Sequence, residues 1–416
     1  MTTSEKILKA REKRHKDIGR MLHQYDTVIS MRVNFPGQDK NHPLAHLILN
    51  GVSLSELNID IKKKTYHQSI DGPYYLLVTD ENPGPVKEKT IVFEDQHPLG
   101  RLMDVDVYHK QAQLSRQTKR QCFICDKAAH VCVRNKTHTL EELLEYIRSI
   151  TFEYFDSMLY HWMDDAILQE LNLDPKFGLV TPKTSGSHHD MNYDLMIRAK
   201  DAFLPWMIKA FHEGVQVEEI NPSSMQALID LGKHAEQAMY TATGGVNAYK
   251  GLIFHLGLLS FVYGFNFSRD HDKAFISLIQ DISSSIFDAQ SSSEMTFGQR
   301  VNQRYHIKGA RGEALNGYPH PRKMLETHKI EYLLDILIDL IVEVEDTNLL
   351  KRAKSLENYQ AVKDEFRLVD KMNMQKLQEL SKKCIEEGLS FGGSADLLVV
   401  TIFMNHMIKK HDNIYL

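Results

Sequence analysis

The sequence has little cysteine, no long apolar run and little net charge, and each shortage excludes a class of protein. Four cysteines in 416 residues are too few for a disulfide-rich secreted domain and favour a reduced, cytoplasmic compartment. The most apolar stretch, Leu252 to Phe267, is shorter than the roughly 20 residues of a transmembrane helix and contains His255. It therefore predicts a buried helix. A net charge of -5 gives no general attraction to nucleic acid or to an anionic membrane.

The remaining composition is that of an ordinary globular protein. Hydrophobic residues make up 42% and charged residues 25% of the chain, which is enough apolar material for a large core. A length of 416 residues indicates more than one domain. The first residues, MTTSEKILKAREKRHK, are highly charged and lack the apolar run of a signal peptide.

The character of the chain changes near residue 150. Before that point, short β-prone runs separated by Pro, Gly, Asn and Asp follow a predicted helix; these runs begin at Thr27, Ala45, Tyr74, Ile91 and Arg101. Thr139 and Glu142 then form a capping-box pattern that opens a helix, and the later apolar residues recur at helical spacing. We predict two domains. Residues 1–150 form an α/β domain with a mixed sheet, and residues 151–416 form an all-α domain.

Two aspartates in HPLGRLMDVDVY, His97 to Tyr108, suggest a metal site. Asp104 and Asp106 project from the same face if this segment is a strand. Such a carboxylate pair suits Mg²⁺, as in nucleotidyltransferases that clamp a triphosphate. Arg101, next to Gly100, is suited to pair with phosphate. The alternative is an edge strand with two solvated aspartates.

A cluster of cysteines follows this segment. Cys122, Cys125, Cys132 and His138 have the spacing C-x2-C-x6-C-x5-H, which offers four ligands for tetrahedral Zn²⁺. His130 competes as a ligand, and the spacing matches no standard zinc finger. The alternative is that reduced cysteines pack together in a small core.

Polar, glycine-containing segments lie between the helices of the second half. The first, GLVTPKTSGSHHDM from Gly178, ends in residues that handle protons, His188 and Asp190. Three further segments supply candidate phosphate, metal or acid–base groups: Gly244, Gly245, Asn247 and Lys250; Arg311 and Glu313; Ser394 and Asp396. Singly they are explained by a connecting loop, a helix-linking turn, a surface ion pair and helix capping. Together they indicate helix ends that converge on an anionic ligand.

The second half resembles triphosphoribosyl-dephospho-CoA synthase, an all-α family, from about Phe155 to the end. The resemblance rests on SGSHHDM at Ser185, GGVNAYKG at Gly244, GARGEA at Gly309, DTN at Asp346 and GSADLL at Gly393. One departure is visible: after DTN the family usually continues with a His-Arg-Gly-Gly-like run, whereas residues 349–355 read LLKRAKS.

The first half resembles apo-citrate lyase phosphoribosyl-dephospho-CoA transferase. This resemblance rests on AREKR at Ala10, RVNFPG at Arg32, LGRLMDVDV at Leu99 and CFICDKAAHVCVR at Cys122. The whole chain is similar to the fused bifunctional form of the two enzymes. For the first half, the resemblance implies a nucleotidyltransferase-like fold.

The resemblance implies a two-step pathway. The helical half would join ATP to 3′-dephospho-CoA with release of adenine, using His188 or Asp190 for proton transfer and Asp396 or Glu313 as carboxylate stabiliser or metal ligand. Lys250 and Arg311 would hold phosphates. The first half would transfer the product to a serine of the citrate lyase acyl carrier protein, the γ subunit, with Mg²⁺ on Asp104 and Asp106.

Two other functions stay open at this point. The chain could mature malonate decarboxylase, which carries the same prosthetic group, or it could be a non-catalytic nucleotide-binding protein. The fused arrangement and the cysteine-containing first half favour the citrate lyase system.

Overall fold

Every described strand lies within the first 114 residues. The computed structural model describes residues 2–110, 112–270, 273–289, 309–411 and 414. Its strands are β1 (Thr27–Val33), β2 (Lys63–His67), β3 (Tyr74–Thr79), β4 (Met103–His109) and β5 (Ala112–Leu114). The helices of this part are α1 (Thr3–Leu22), α2 (Pro43–Gly51), α3 (Pro83–Gln96), α4 (Ala129–Asn135) and α5 (Leu140–Leu171).

The chain divides into two units. Unit 1 comprises Met1–Ser157 with Phe267–His271, and unit 2 comprises Met158–Asn266 with Asp272–Leu416. The capping box predicted before α5 is confirmed. The Thr139 backbone N–H donates to Glu142 Oε2 at 2.7 Å, and the Glu142 backbone N–H donates to Thr139 Oγ1 at 3.1 Å.

Unit 1 is built around a five-stranded sheet of order β2-β3-β1-β4-β5. Each described strand pair is antiparallel, so the mixed sheet predicted from the sequence is wrong. The central strand β1 pairs with both β3 and β4, while β2 pairs with β3 and β5 with β4. β1 and β2 run in the same direction with β3 between them, and β3 and β4 run in the same direction with β1 between them, so the connections that contain α2 and α3 are crossovers.

Two predicted β-prone runs are helical. The run from Ala45 lies in α2 and the run from Ile91 lies in α3, and both helices begin at a proline. Proline suits the first helical position because its missing N–H has no partner there in any case. α2 is buried on almost all sides, so it shows no polar face from which helical periodicity could be recognised. Strand β2 was missed, since it is polar and half-exposed.

Both faces of the central strands are buried. On one face, Ile18 of α1 packs against Val28, Tyr74 and Leu76. The residues that alternate with them, among them Ile29, Met31, Leu77, Val105 and Val107, are fully buried on the other face. β1 and β4 therefore form a fixed base from which polar side chains at the strand ends can project.

Unit 2 is helical through its described residues, which confirms the all-α prediction for this part. After the second half of α5 come α6 (Tyr193–Gln216), α7 (Pro222–Thr243), α8 (Lys250–Phe267), α9 (Phe275–Ala289), α10 (Gly309–Leu315), α11 (Pro319–Thr327), α12 (Leu333–Glu343), α13 (Thr347–Ala353), α14 (Leu356–Leu368), α15 (Met374–Glu386) and α16 (Gly392–Lys410). Across the described ranges, no helix combines the length and apolarity needed to cross a membrane.

α6 and α8 approach each other at a pair of glycines. A Cβ added at Gly214 would lie 2.1 Å from the Phe261 carbonyl oxygen, and one added at Gly264 would lie 2.3 Å from that of Phe211. The two helices thus touch through their backbones, and neither position has room for a methyl group.

We expect Gly264→Ala to lower the free energy of unfolding of unit 2 by about 1–3 kcal/mol, because the added methyl must push the helices apart. Gly232→Ala is the matched control. A Cβ at Gly232 meets no heavy atom within 4 Å, so this change should stabilise the helix by about 1 kcal/mol. Urea unfolding followed by tryptophan fluorescence measures both effects, since the two tryptophans, Trp162 and Trp206, belong to unit 2. Equal changes in the free energy of unfolding for the two variants would contradict the backbone contact between α6 and α8.

Candidate functional site

Asp104 and Asp106 lie on the same face of β4, as predicted. The strand alternates between buried Met103 and Val105 and the half-buried aspartates. Arg32 of β1 lies directly across from Asp104. The cross-strand register therefore brings an arginine to the carboxylate pair.

Cations and a buried environment act on this pair. Arg32 and Arg120 both form ion pairs with Asp104, the latter at 3.2 Å, and Gln113 donates to Asp106 at 2.7 Å. Burial and the nearby Asp104 charge raise the pKa of Asp106. Two carboxylates so close disfavour each other's charge, which a divalent cation would relieve. The residues therefore fit a Mg²⁺ ion.

The AREKR segment of α1 reaches the same end of the sheet. Arg11 and Arg14 donate to the carboxylate of Asp71 at 2.9–3.1 Å, and Arg32 lies 3.9 Å from the same carboxylate. Burial of Asp71 opposes its charge, yet the bonds from Arg11 and Arg14 lower its pKa. Asp71 thus holds three arginines beside Asp104, and this grouping is suited to a polyphosphate.

Unit 1 contains a cavity of about 1040 Å³ beside this cluster. Gly100 and Arg101, both predicted site residues, line it. Its other cationic lining residues are Lys40, Arg116, Lys119, Arg120 and Lys136, against the acidic Glu94 and Asp95. Asp104 and Asp106 are not among the lining residues, but Arg120 connects Asp104 to the cavity wall. The cavity is basic and suits an anionic ligand.

The four predicted metal ligands of unit 1 lie together. One ligand atom from each of Cys122, Cys125, Cys132 and His138 lies within 4.8 Å of the others. His130, the competing ligand, is exposed.

In unit 2, the polar loop from Gly178 folds back on itself. The Ser187 backbone N–H donates to the Gly178 carbonyl at 2.8 Å, and the Ser187 hydroxyl donates to the Cys384 carbonyl at 3.2 Å. Gly186 has a φ of 59°, and a Cβ there would lie 2.3 Å from the Gly178 carbonyl oxygen. Only glycine fits this turn, which leads through Ser187 to His188.

His188 is held on both ring nitrogens. Its Nε2 lies 3.0 Å from Ser390 Oγ, and its Nδ1 lies 3.3 Å from Arg352 Nη2 and 4.0 Å from Asp190 Oδ1. Burial, assisted by the Arg352 charge, lowers the pKa of His188. The neutral imidazole is therefore favoured at neutral pH and can accept a proton.

Asp346 joins the starts of two helices. Its Oδ1 accepts from the backbone N–H groups of Asn348 and Leu349 at the start of α13. Its Oδ2 accepts from the backbone N–H and the hydroxyl of Ser394 in α16, at 2.8 and 3.0 Å. A Cβ on Gly393 would lie 3.0 Å from this carboxylate. The glycines before Ser394 thus allow the carboxylate to reach the helix start.

Asp396 lies one half-turn further along α16 and faces a cavity. Burial, together with the carboxylates of Asp346 and Glu170, raises its pKa well above the ordinary value. A Cβ on Gly251 would lie 2.3 Å from Asp396 Oδ2, so glycine makes room for the carboxylate. Among the described side chains, none is seen to form a hydrogen bond or an ion pair with the Asp396 carboxylate. A buried carboxylate of this kind suits a ligand-binding role.

The cavity of unit 2 has a volume of about 1000 Å³. It collects residues from distant segments of the chain: Glu170, His188, Asp190, Asn247, Lys250, Gly251, Arg311, Asp346, Asn348, Lys351, Arg352, Ser390, Gly392, Gly393 and Asp396. The first residues of α8, α13 and α16 are among them, and helix starts attract anions. This agrees with the convergence predicted from the sequence. Lys250 also pairs with Glu236 at 2.8 Å.

Four predicted site residues are not among the lining residues. Gly244 ends α7 with a φ of 68°, and Gly245 follows with a φ of 94°, so both serve the turn into α8. Ser394 is fully buried on Asp346. Glu313 is buried and accepts from His320 Nδ1 at 2.5 Å.

Several lining residues lay outside the predicted set, among them Glu170, Ser390 and Arg352. Glu170 lies within α5 and pairs with Lys176 at 2.9 Å, and nothing in its local sequence marks it. Ser390 lies two residues before the pair Gly392 and Gly393, which opens the last polar segment. Arg352 belongs to the KRAK run that departs from the family pattern, and only its contact with His188 reveals its place.

The chain matches two families along its length. Residues 2–154 match the family described as apo-citrate lyase phosphoribosyl-dephospho-CoA transferase, and residues 157–414 match ATP:dephospho-CoA triphosphoribosyl transferase. These matches confirm the resemblance predicted from the motifs.

Curated relatives cover nearly the whole chain. It is 29% identical over 453 residues to Protein CitXG of Leuconostoc mesenteroides subsp. cremoris, covering 97% of this chain and 96% of the relative. It is 30% identical over 443 residues to Protein CitXG of Haemophilus influenzae, covering 96% and 95%. A 2-(5''-triphosphoribosyl)-3'-dephosphocoenzyme-A synthase of Haemophilus ducreyi is 31% identical over 322 residues, covering 67% of this chain and 98% of the relative.

We expect Arg352→Gln to raise the pKa of His188, because it removes a neighbouring positive charge. Burial remains, so the pKa should stay below the ordinary value of about 6.5. Histidine-selective NMR titration measures this, with His188→Asn to assign the resonance. Arg367→Gln, which removes an exposed arginine paired with Asp364, should leave the pKa of His188 unchanged. If the pKa of His188 were the same in Arg352→Gln as in wild type, the Arg352 charge would not be a cause of its lowering.

Proposed function

The chain belongs to the family of fused proteins that join an apo-citrate lyase phosphoribosyl-dephospho-CoA transferase to an ATP:dephospho-CoA triphosphoribosyl transferase, and on this basis we propose a division of labour between its two units. Unit 2 makes the prosthetic-group precursor of citrate lyase from ATP and 3′-dephospho-CoA. Unit 1 transfers it to a serine of the apo acyl carrier protein. The observation that carries the proposal is the cavity of unit 2, where five motif segments meet.

In unit 2, a ribose hydroxyl of dephospho-CoA attacks C1 of the ATP ribose. The bond from C1 to adenine breaks, the triphosphate stays on the transferred ribose, and adenine leaves with a proton. His188, kept neutral by its lowered pKa, accepts the hydroxyl proton at Nδ1, and the Arg352 N–H moves away from that nitrogen as it does so. Ser390 and Arg352 fix the ring, and Asp190, 4.0 Å away, stabilises it once it is protonated.

Asp396 acts at the sugar. A carboxylate beside the anomeric carbon stabilises positive charge that develops as adenine departs. Burial and the nearby carboxylates raise the pKa of Asp396, and a divalent ion bound with the triphosphate would offset this and favour the charged form. Arg311, Lys250 and Lys351 line the cavity and would neutralise phosphate charge.

In unit 1, the serine hydroxyl of the carrier protein attacks the α-phosphorus, and diphosphate leaves. This is nucleotidyltransferase-like chemistry, and Asp104 and Asp106 would hold Mg²⁺ for it. Bound there, the ion would neutralise charge on the triphosphate. Arg32 and Arg120 orient Asp104, while Gly100 and Arg101 form the cavity wall against which the triphosphate lies.

We expect Asp104→Asn to abolish transfer to the carrier protein and to leave adenine release unchanged, because the change lies in unit 1 alone. The assay supplies ATP, 3′-dephospho-CoA, Mg²⁺ and apo acyl carrier protein, and chromatography measures adenine while intact mass measures carrier modification. Asp60→Asn is the control, since Asp60 is 65% exposed and pairs with Lys62. Loss of both activities in Asp104→Asn would contradict the division of labour. Wild-type release of ADP or AMP instead of adenine would contradict the synthase step.

We expect Asp396→Asn to abolish adenine release and to raise the thermal stability of the chain. Asp396 has a raised pKa in the folded state, so its ionisation opposes folding once the pH exceeds the unfolded value of about 3.9. Asparagine cannot ionise, so the gain in melting temperature over wild type should grow as the pH rises above about 3.9.

Asp194→Asn, an exposed change in the first turn of α6, is the control: it should keep activity, and its small loss of helix-dipole stabilisation should not grow as the pH rises above about 5. A less stable Asp396→Asn chain would contradict the stated electrostatics. A fully active one would contradict the assigned role.

A further inference from the structure

The segment between β5 and the middle of α5 has almost no core of its own. From residue 112 to residue 146, the only buried side chains are those of Cys122 and Cys132. Val133 is 78% exposed, and Ile124 and Leu140 are exposed as well. A segment of this length cannot offset its loss of conformational entropy through two small side chains. Pairing of β5 with β4 and the ion pairs of Arg116 and Arg120 hold its first part, and a further interaction at the buried cysteines would hold the rest.

The backbone of this segment presents four ligands to one point. Cys122 and Cys125 lie in a tight loop closed by a hydrogen bond from the Cys122 backbone N–H to the Lys127 carbonyl at 2.7 Å. Cys132 lies on the short helix α4, which ends at Lys136 in the left-handed conformation. His138 follows two residues later. Three separate pieces of backbone thus meet at their metal-binding side chains.

The distances match a tetrahedral site. Cys125 Sγ lies 3.5 Å from Cys132 Sγ and 3.3 Å from His138 Nε2. Ligands about 2.0–2.3 Å from a central Zn²⁺ at tetrahedral angles are separated by roughly 3.3–3.8 Å. A disulfide would instead require about 2.05 Å between the two sulfurs.

We propose that Cys122, Cys125, Cys132 and His138 bind one structural Zn²⁺ ion. Three thiolates and one imidazole form a Cys₃His set that leaves no position for substrate. The ion would replace the missing apolar core, and its binding energy would contribute directly to the folding of this segment.

The zinc-bound segment forms part of the wall of the unit 1 cavity. Arg101 donates to the carbonyl of Cys122, and the Ala129 backbone N–H donates to the Arg120 carbonyl at 2.9 Å. Arg120 in turn pairs with Asp104 at 3.2 Å. Zinc would therefore position two arginines of the cavity without touching the reacting groups.

Metal analysis of the full chain tests the proposal. The protein is purified without chelator from zinc-supplemented medium, and zinc is measured by mass spectrometry. We expect one zinc per wild-type chain, one in the control Cys384→Ala, whose cysteine is buried in unit 2, and less than a tenth of that in Cys125→Ser. His138→Cys keeps four ligands and should retain zinc, which separates ligation from folding. Exchange into Co²⁺ should give the visible absorption of a tetrahedral thiolate site.

Other results would overturn the proposal. A wild-type chain with no zinc and four titratable thiols would show a reduced cysteine cluster only. Two titratable thiols and a mass lower by two hydrogens would show a disulfide. Iron in place of zinc, or full zinc in Cys125→Ser, would also reject it.

The positioning role rests on the proposed function and has its own measurement. Zinc is removed by a chelator, the chelator is removed, and Mg²⁺ is restored. We expect carrier transfer to fall at least tenfold while adenine release is unchanged. Transfer that persists without zinc would reject the positioning role and leave the metal site intact.

Discussion

The carboxylate of Asp346 is the constraint on which the helical unit's site depends. A fully buried charge is unfavourable, and burial accordingly raises the pKa of Asp346. Four hydrogen bonds offset that penalty, each worth about 1.5–3 kcal/mol when the acceptor is charged. They come from the starts of α13 and α16, where the helix dipole also favours a negative charge. One side chain thus fixes two helices relative to each other.

The residues assigned to chemistry follow from that junction. One turn into α13, Arg352 reaches His188 and the carbonyls of Ser187 and Gly388. Just after the first turn of α16, Asp396 lines the cavity beside Gly251. In unit 1, arginines offset the carboxylate charges instead. Arg32 of β1 and Arg120 form ion pairs with Asp104, and Asp71 forms ion pairs with further arginines. Helix starts supply the positive charge in one unit, and guanidinium groups supply it in the other.

The sequence predicted what local patterns encode. Strand alternation placed Asp104 and Asp106 on one face, and the helical spacing after residue 150 gave an all-α part. It failed where the tertiary structure decides. The run from Ala45 is β-prone by composition, but it forms a helix that is buried on nearly all sides. Glu170 lines the cavity only because α5 passes beside it. Glycine pairs were equally ambiguous: Gly392 and Gly393 admit Asn348 and Asp346, whereas Gly244 and Gly245 end a helix.

The KRAK run shows why a departure from a family pattern need not remove a function. In this run the Arg352 guanidinium Nη2 lies 3.3 Å from His188 Nδ1. Lys354 adopts the left-handed conformation at a φ of 64° and ends α13. Lysine tolerates this conformation at some strain, so the helix ends at the same kind of turn that a glycine would provide. The run thus supplies a charged group beside His188 and a sharp end to the helix.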